Sequence, residues 1–256
     1  MPLDNVDERV AQALVPGGRT IAADPYPWPF DGDLRPGNTA LVVIDMQVDF
    51  CAPGGYVDVM GYDIALTRAP IEPIGRVLAA FRQKGFHIIH TREGHRPDLT
   101  DLPPAKKIRG KGAKTIGDDG PMGRILIRGE AGHDIIPELR PAPDEPIIDK
   151  PGKGAFHATD LHAILQARGI RQLVVTGVTT EVCVNTTVRE ANDRGYDCLV
   201  VAECCGSYFP EFHEAGLRMI AAQGGIFGWV GHLEDLLPAL SQLHAPEVQT
   251  ATGDPP

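Results

Sequence analysis

What the chain lacks narrows it first. No apolar run approaches the ~18 residues needed to cross a bilayer, so no spanning helix is expected. The opening stretch MPLDNVDERVAQALVPGG carries acids early and has neither a basic start nor a continuous apolar segment, so it does not read as a secretory signal. Basic residues are outnumbered, 24 Lys and Arg against 34 Asp and Glu, which leaves a formal net charge of −10. Phosphate backbones and anionic lipid surfaces are repelled by such a chain; nucleic acid and membrane are therefore disfavoured as partners, and a small molecule is preferred. Cysteine is scarce and odd in number: the five, Cys51, Cys183, Cys198, Cys204 and Cys205, form no CxxC pair and no zinc-like spacing. They are expected as reduced thiols, which suits the cytoplasm. His87 and His90 fall on one expected strand, where a spacing of three puts them on opposite faces, so they make poor joint ligands. No metal and no cofactor are expected.

What is present is ordinary globular material, 43% hydrophobic and 23% charged over 256 residues, enough for one large core. Residues 1–37 are rich in Pro and Gly without periodicity (PYPWPFDGDLRPGN) and read as an extended N-terminal arm, whose Tyr26, Trp28 and Phe30 would dock on the body of the protein. Residues 38–240 alternate strand and helix patterns, and residues 241–256 read as a disordered tail. Strands are expected at Thr39 to Asp45, Phe86 to His90, Pro146 to Lys150, Leu173 to Gly177 and Asp197 to Ala202, with a last short apolar run from Gly225 to Val230. Between them Ile71, Ile74, Val77, Leu78 and Phe81 recur at helical spacing up to a Lys84-Gly85 stop, and helices are also expected after Thr159 or Asp160, from Thr180 to Arg194 and from Glu211 to Gln223. Residues 97–145 interrupt the pattern as an irregular excursion, with a basic stretch from Lys106 to Lys114 read as a solvated loop. The alternation defines an α/β fold with a parallel sheet.

Three expected strands end in groups that chemistry can use: Asp45, Lys150, and Gly177-Val-Thr-Thr-Glu-Val-Cys183, which leads into a helix. In an open parallel sheet ligands bind beyond the carboxyl ends of the strands, so these ends face one crevice. Cys183 would sit in the first helical turn, where the macrodipole and a nearby ammonium lower a thiol pKa and make it a nucleophile. Asp45 would take the thiol proton and return it to a leaving amine, Lys150 would balance charge, and amides near Thr179 and Cys183 would face a developing oxyanion. Each residue alone has a plainer reading, as a turn cap, a solvated charge or a core thiol.

The segments VVIDMQVDF, DKPGKGAFHATDL and VTGVTTEVCVNTTVREANDRGY resemble the isochorismatase-like cysteine hydrolases, in order, over residues 38 to 230. The resemblance implies a three-layer αβα fold with a six-stranded parallel sheet, a homotetramer, a catalytic Asp45–Lys150–Cys183 triad and a cis peptide at Val178-Thr179. Within the family, ADPYPWPF, MQVDFCAPGGYVDVMGYD, HTREGHRPDLTDLP and GRILIRGE are most similar to the biuret-splitting branch. That branch implies a small neutral ureide as substrate, with a thioester intermediate, Gln223 bonding the far ureide end, and Phe50 and Phe156 as apolar walls. Triuret, ureidoacrylate and N-carbamoylsarcosine are the alternatives, and a carboxylated substrate would need a further cation, with Arg92 or Arg124 the evident candidates. The segment Ser207 to His213 departs from the biuret-splitting pattern by being bulkier. The metal-binding relatives carry Asp-x-His where this chain has Thr91-Arg-Glu-Gly-His95.

Overall fold

The computed structural model describes residues 13–16, 18–108 and 114–243; the expected tail, apart from its first three residues, lies outside them. Its main sheet has strands β1 (Ala23–Asp24), β2 (Thr39–Ile44), β3 (His87–Glu93), β4 (Ile147–Lys150), β5 (Gln172–Val178), β6 (Asp197–Gly206) and β7 (Trp229–Gly231). The longer helices are α1 (Ile71–Gln83), α2 (Leu161–Ala167), α3 (Asn185–Asn192), α4 (Pro210–Gly225) and α5 (Leu233–Ser241). The strands run in the order β1-β7-β6-β5-β2-β3-β4. Six of them are parallel, and β1 adds a seventh, antiparallel edge by pairing Ala23 with Gly231 and Asp24 with Val230. Of the aromatic residues expected to dock, Trp28 is fully buried and Tyr26 meets Trp229 edge to face at 5.3 Å, whereas Phe30 is exposed.

All six residues of β2 are buried, because alternate side chains enter two different cores. Leu41 and Val43 join Ile74, Val77, Leu78 and Phe81 of α1 and Leu236 and Leu240 of α5; Ala40, Val42 and Ile44 join Leu161 and Leu165 of α2, Val188 of α3 and Ile220 of α4. This is a three-layer αβα sandwich. The four buried side chains of α1 follow the i, i+3, i+4, i+7 stripe, each worth about 1.5–3 kcal/mol when removed from water. Gly85, at φ +71°, closes that helix in the left-handed conformation.

Chain order reverses between β2 and β5, and the site lies at that switch point. The described residues of the excursion between β3 and β4 form single turns and a small ribbon, Asp119–Gly120 with Gly123–Arg124. Among the described residues no helix is long and apolar enough to cross a membrane.

Candidate active site

Register delivers the reactive groups to one edge. Ile44 lies opposite both Gly177 and Thr91, and Glu93 lies opposite Lys150, so β5, β2, β3 and β4 end side by side. Asp45 is the first residue beyond β2 and turns through φ +51°; Lys150 Nζ reaches its Oδ2 at 2.7 Å, with both side chains fully buried. Thr91 Oγ1 donates to Asp45 Oδ1 at 2.7 Å, and Lys150 Nζ donates to the carbonyls of Gly152 and Lys153 at 3.0 and 2.9 Å. Cys183 Sγ comes within 4.8 Å of carboxylate oxygens of both Asp45 and Glu93. The expected triad residues therefore meet at one place.

The thiol is carried by a π-helical turn, Thr180–Val184, which runs into α3. Asn185 Nδ2 pins that turn by donating to the carbonyls of Thr180 and Gly216 at 3.0 and 3.2 Å, and Thr180 Oγ1 donates to Gly206 O at 3.2 Å. The Val178-Thr179 peptide ahead of it is cis. Burial pushes the Cys183 thiol well above its usual value; the Lys150 ammonium works against this shift, and the Asp45 and Glu93 carboxylates add to it. The direction is opposite to the lowering expected for a helix N-terminus, because desolvation outweighs the neighbouring lysines. For Lys150 the penalty of burial is overcome by Asp45, Cys183 and Glu93, so the ammonium is held more firmly than a free lysine.

The sequence reading had no role for Glu93. It is fully buried, its Oε2 lies 3.6 Å from Cys183 Sγ, and Lys153 Nζ donates to its two oxygens at 2.8 and 2.9 Å. Lys106 Nζ reaches Oε1 at 3.2 Å, together with His95 Nε2 at 3.0 Å and Pro151 O at 2.6 Å. Lys106 is thus drawn into the site from the excursion, where a solvated loop was expected. Burial alone would raise the Glu93 pKa, but Lys153, Lys150 and Lys106 hold it at about 2. Gln47 fixes the backbone on either side of this residue, accepting from Glu93 N at 2.6 Å and donating to Glu93 O at 3.0 Å. The signal for Glu93 was its place at the end of β3, one strand over from Asp45. Asp45, Glu93 and Cys183 form a donor set of the kind that holds a metal ion, yet ammonium groups already occupy both carboxylates and would repel a cation.

The residues expected to hold substrate separate. Phe50 lies in the turn Val48–Cys51, packs on the α1 side of the sheet, and accepts at its carbonyl from Tyr208 OH at 3.2 Å. The ring of Phe156 stacks on Tyr196 at 5.7 Å, lies 6.4 Å from His162, and is covered by the Arg194 guanidinium at 4.9 Å, a packing role between α2 and α3. Gln223 is exposed, at φ +55°, where α4 has crossed the sheet to the start of β7. That is the end opposite the thiol, because β6 and β7 are parallel and α4 connects them. Arg92 is committed to Asp149 and Asp134 at 2.8 and 3.1 Å, and Arg124 to the carbonyls of Gly117 and Pro97 at 3.0 and 2.8 Å. The bulky segment beyond β6 sets Tyr208 against Tyr62 at 5.1 Å and His213 Nδ1 2.7 Å from Thr180 Oγ1 of the nucleophile turn.

An αβα sandwich with a buried thiol at its switch point defines a class, and comparison with known proteins specifies it. Residues 39–234 match the family model described as the isochorismatase domain, and the chain belongs to that family. It is 35% identical over 230 residues to the ureidoacrylate amidohydrolase RutB of Methylorubrum extorquens (strain DM4), covering 88% of this chain and 90% of that protein. A cysteine hydrolase from Pseudomonas syringae pv. phaseolicola 1448A superposes with a TM-score of 0.69 at 26% identity, over 81% of this chain and 94% of that one. N-carbamoylsarcosine amidase from Thermoplasma acidophilum shares the fold, with a TM-score of 0.58 at 23% identity over 77% and 97% of the two chains.

Proposed function

We propose that the protein is a cysteine-dependent amidohydrolase cleaving a C–N bond of a small neutral ureide, with biuret the first candidate. The observation that carries this reading is the convergence of Cys183, Asp45 and Lys150 at one strand edge, with Lys150 Nζ 2.7 Å from Asp45. Asp45 takes the thiol proton as sulfur attacks a carbonyl; amides near Thr179 and Cys183 receive the oxyanion; the proton then leaves with ammonia. Water, deprotonated by the same carboxylate, resolves the thioester to allophanate and restores the thiol. Lys150 keeps the net charge of the site steady through both proton transfers. Support for a neutral substrate comes from the further cations: Arg92 and Arg124 are engaged away from the thiol, and Lys153 and Lys106, which do reach the site, are both paired with Glu93.

A second reading, ureidoacrylate, is favoured by the 35% identical relative that bears that name. Ammonia release from biuret, triuret, ureidoacrylate and N-carbamoylsarcosine separates the two. The expected result is turnover of biuret above the carboxylated compounds, abolished by Cys183→Ala; preferred turnover of ureidoacrylate would replace the first reading with the second. We further propose a homo-oligomer, a tetramer by family resemblance, acting in the cytoplasm. In a single chain Gln223 stands at the wrong end of the sheet, so any contact it makes with substrate is with a neighbouring copy's site.

A further inference from the structure

The ammonium and carboxylate groups around the thiol make up an odd set. Asp45 and Glu93 are two anions, and Lys150, Lys153 and Lys106 are three cations joined to them by contacts of 2.7 to 3.2 Å. The surplus is one positive charge, and it stays at one when the thiol proton passes to Asp45, because the proton remains within the set. That surplus is spread over lysines already bound to carboxylate oxygens, and the carboxylate oxygen in contact with the sulfur is Glu93 Oε2.

Glu93 has one weakly held lone pair, on Oε2. Oε1 takes donors from both Lys153 and Lys106, which fills the two lone pairs of a carboxylate oxygen, whereas Oε2 takes only Lys153 and the weak thiol contact at 3.6 Å. When sulfur gives up its proton, that contact loses its donor. In a reactive pose the substrate carbonyl lies ~3–3.5 Å from sulfur, which brings the nitrogen on that carbonyl within reach of Oε2. We propose that Glu93 is a specificity-determining residue: its buried carboxylate accepts an N–H of a neutral ureide beside the scissile carbonyl and turns away substrates that carry a carboxylate there. Lys153 and Lys106 tune this acceptor, Lys153 from a partly exposed position at 45% of its side-chain surface and Lys106 from the excursion. The substrate class rests on the ureide reading above; the charge selection does not.

Alkylation of the full-length protein reads that selection without any substrate. Iodoacetamide is neutral and carries an amide N–H; iodoacetate is its anionic counterpart, and with each the sulfur displaces iodide and loses its proton. The measurement is the ratio of the two labelling rates on the Cys183 peptide by mass spectrometry, relative to the ratio for glutathione. The wild type is expected to favour iodoacetamide, Glu93→Gln to shift the ratio toward iodoacetate by at least ~10-fold, and Lys153→Gln to shift it the opposite way. In turnover, Glu93→Gln should raise the kcat/KM ratio of ureidoacrylate to biuret. Should Glu93→Gln not fold, the wild-type and Lys153→Gln ratios carry the test. A ratio equal to that of glutathione in the wild type, or one unmoved by either substitution, overturns the role of Glu93. The expected alkylation pattern in a protein that hydrolyses no ureide would instead overturn the proposed substrate and leave the charge selection standing.

Discussion

At the scale of the residue, burial disfavours a resting thiolate at Cys183, and in the proposed mechanism its deprotonation is coupled to attack and falls to Asp45. Asp45→Asn should lower kcat/KM by about 10²–10⁴, in the range of general-base loss, with far-ultraviolet circular dichroism unchanged. Glu93 is held down at about 2 from an ordinary 4.5, so it takes up no proton at neutral pH and is unsuited to act as the base. Its depressed pKa also ties stability to pH. The contribution is present above the unfolded value of 4.5 and is lost as pH falls through about 2, on the order of 3 kcal/mol. Urea unfolding between pH 6 and 2 should show this loss for the wild type, and a flatter profile for Glu93→Gln. Lys150→Met should be costlier than a surface change, about 3–5 kcal/mol, because it strands a buried Asp45.

At the scale of the element, most of the secondary structure was legible and part of the site was not. The β2 and α1 patterns are unambiguous because burial on two faces, or on one helical stripe, writes a period into the sequence. The π-helical turn of Cys183 carries no such period, and a regular helix was expected there. Lys106 read as solvated because a basic run in an irregular segment usually is; only the fold shows that one lysine of the run reaches a buried carboxylate. Gly177 lies opposite Ile44 in the register of the two central strands. At φ +112°, an added Cβ would fall on the backbone of Ile44. Gly177→Ala should therefore part β2 from β5, which carry Asp45 and Cys183, at about 3 kcal/mol or more, measured as a fall in the denaturation midpoint together with lost activity.

At the scale of the whole molecule, the triad could be read from the sequence because strand ends in a parallel sheet must converge, whatever lies between them. Gln223 could not be placed the same way. The helix α4 carries the chain across the whole sheet before the backbone breaks at Ala222–Gly224, so proximity of Gln223 to the thiol in one chain was lost. From its first turn to the turn after it, α4 leaves Phe212, Met219 and Ile226 exposed at 47, 54 and 45%, a face suited to burial in an assembly. Two chains made together, one carrying Cys183→Ala and the other Gln223→Ala, should recover activity that each lacks alone if the assembly brings Gln223 to a neighbour's thiol. Recovery no greater than the sum of the separate chains would assign Gln223 to the surface.

The most direct test of the account is acid quenching of the wild-type enzyme during turnover of biuret, followed by mass analysis of the peptide that carries Cys183. An allophanyl adduct on that sulfur, absent from Cys183→Ala together with ammonia release, is the predicted result. Ammonia release that survives in Cys183→Ala would contradict it.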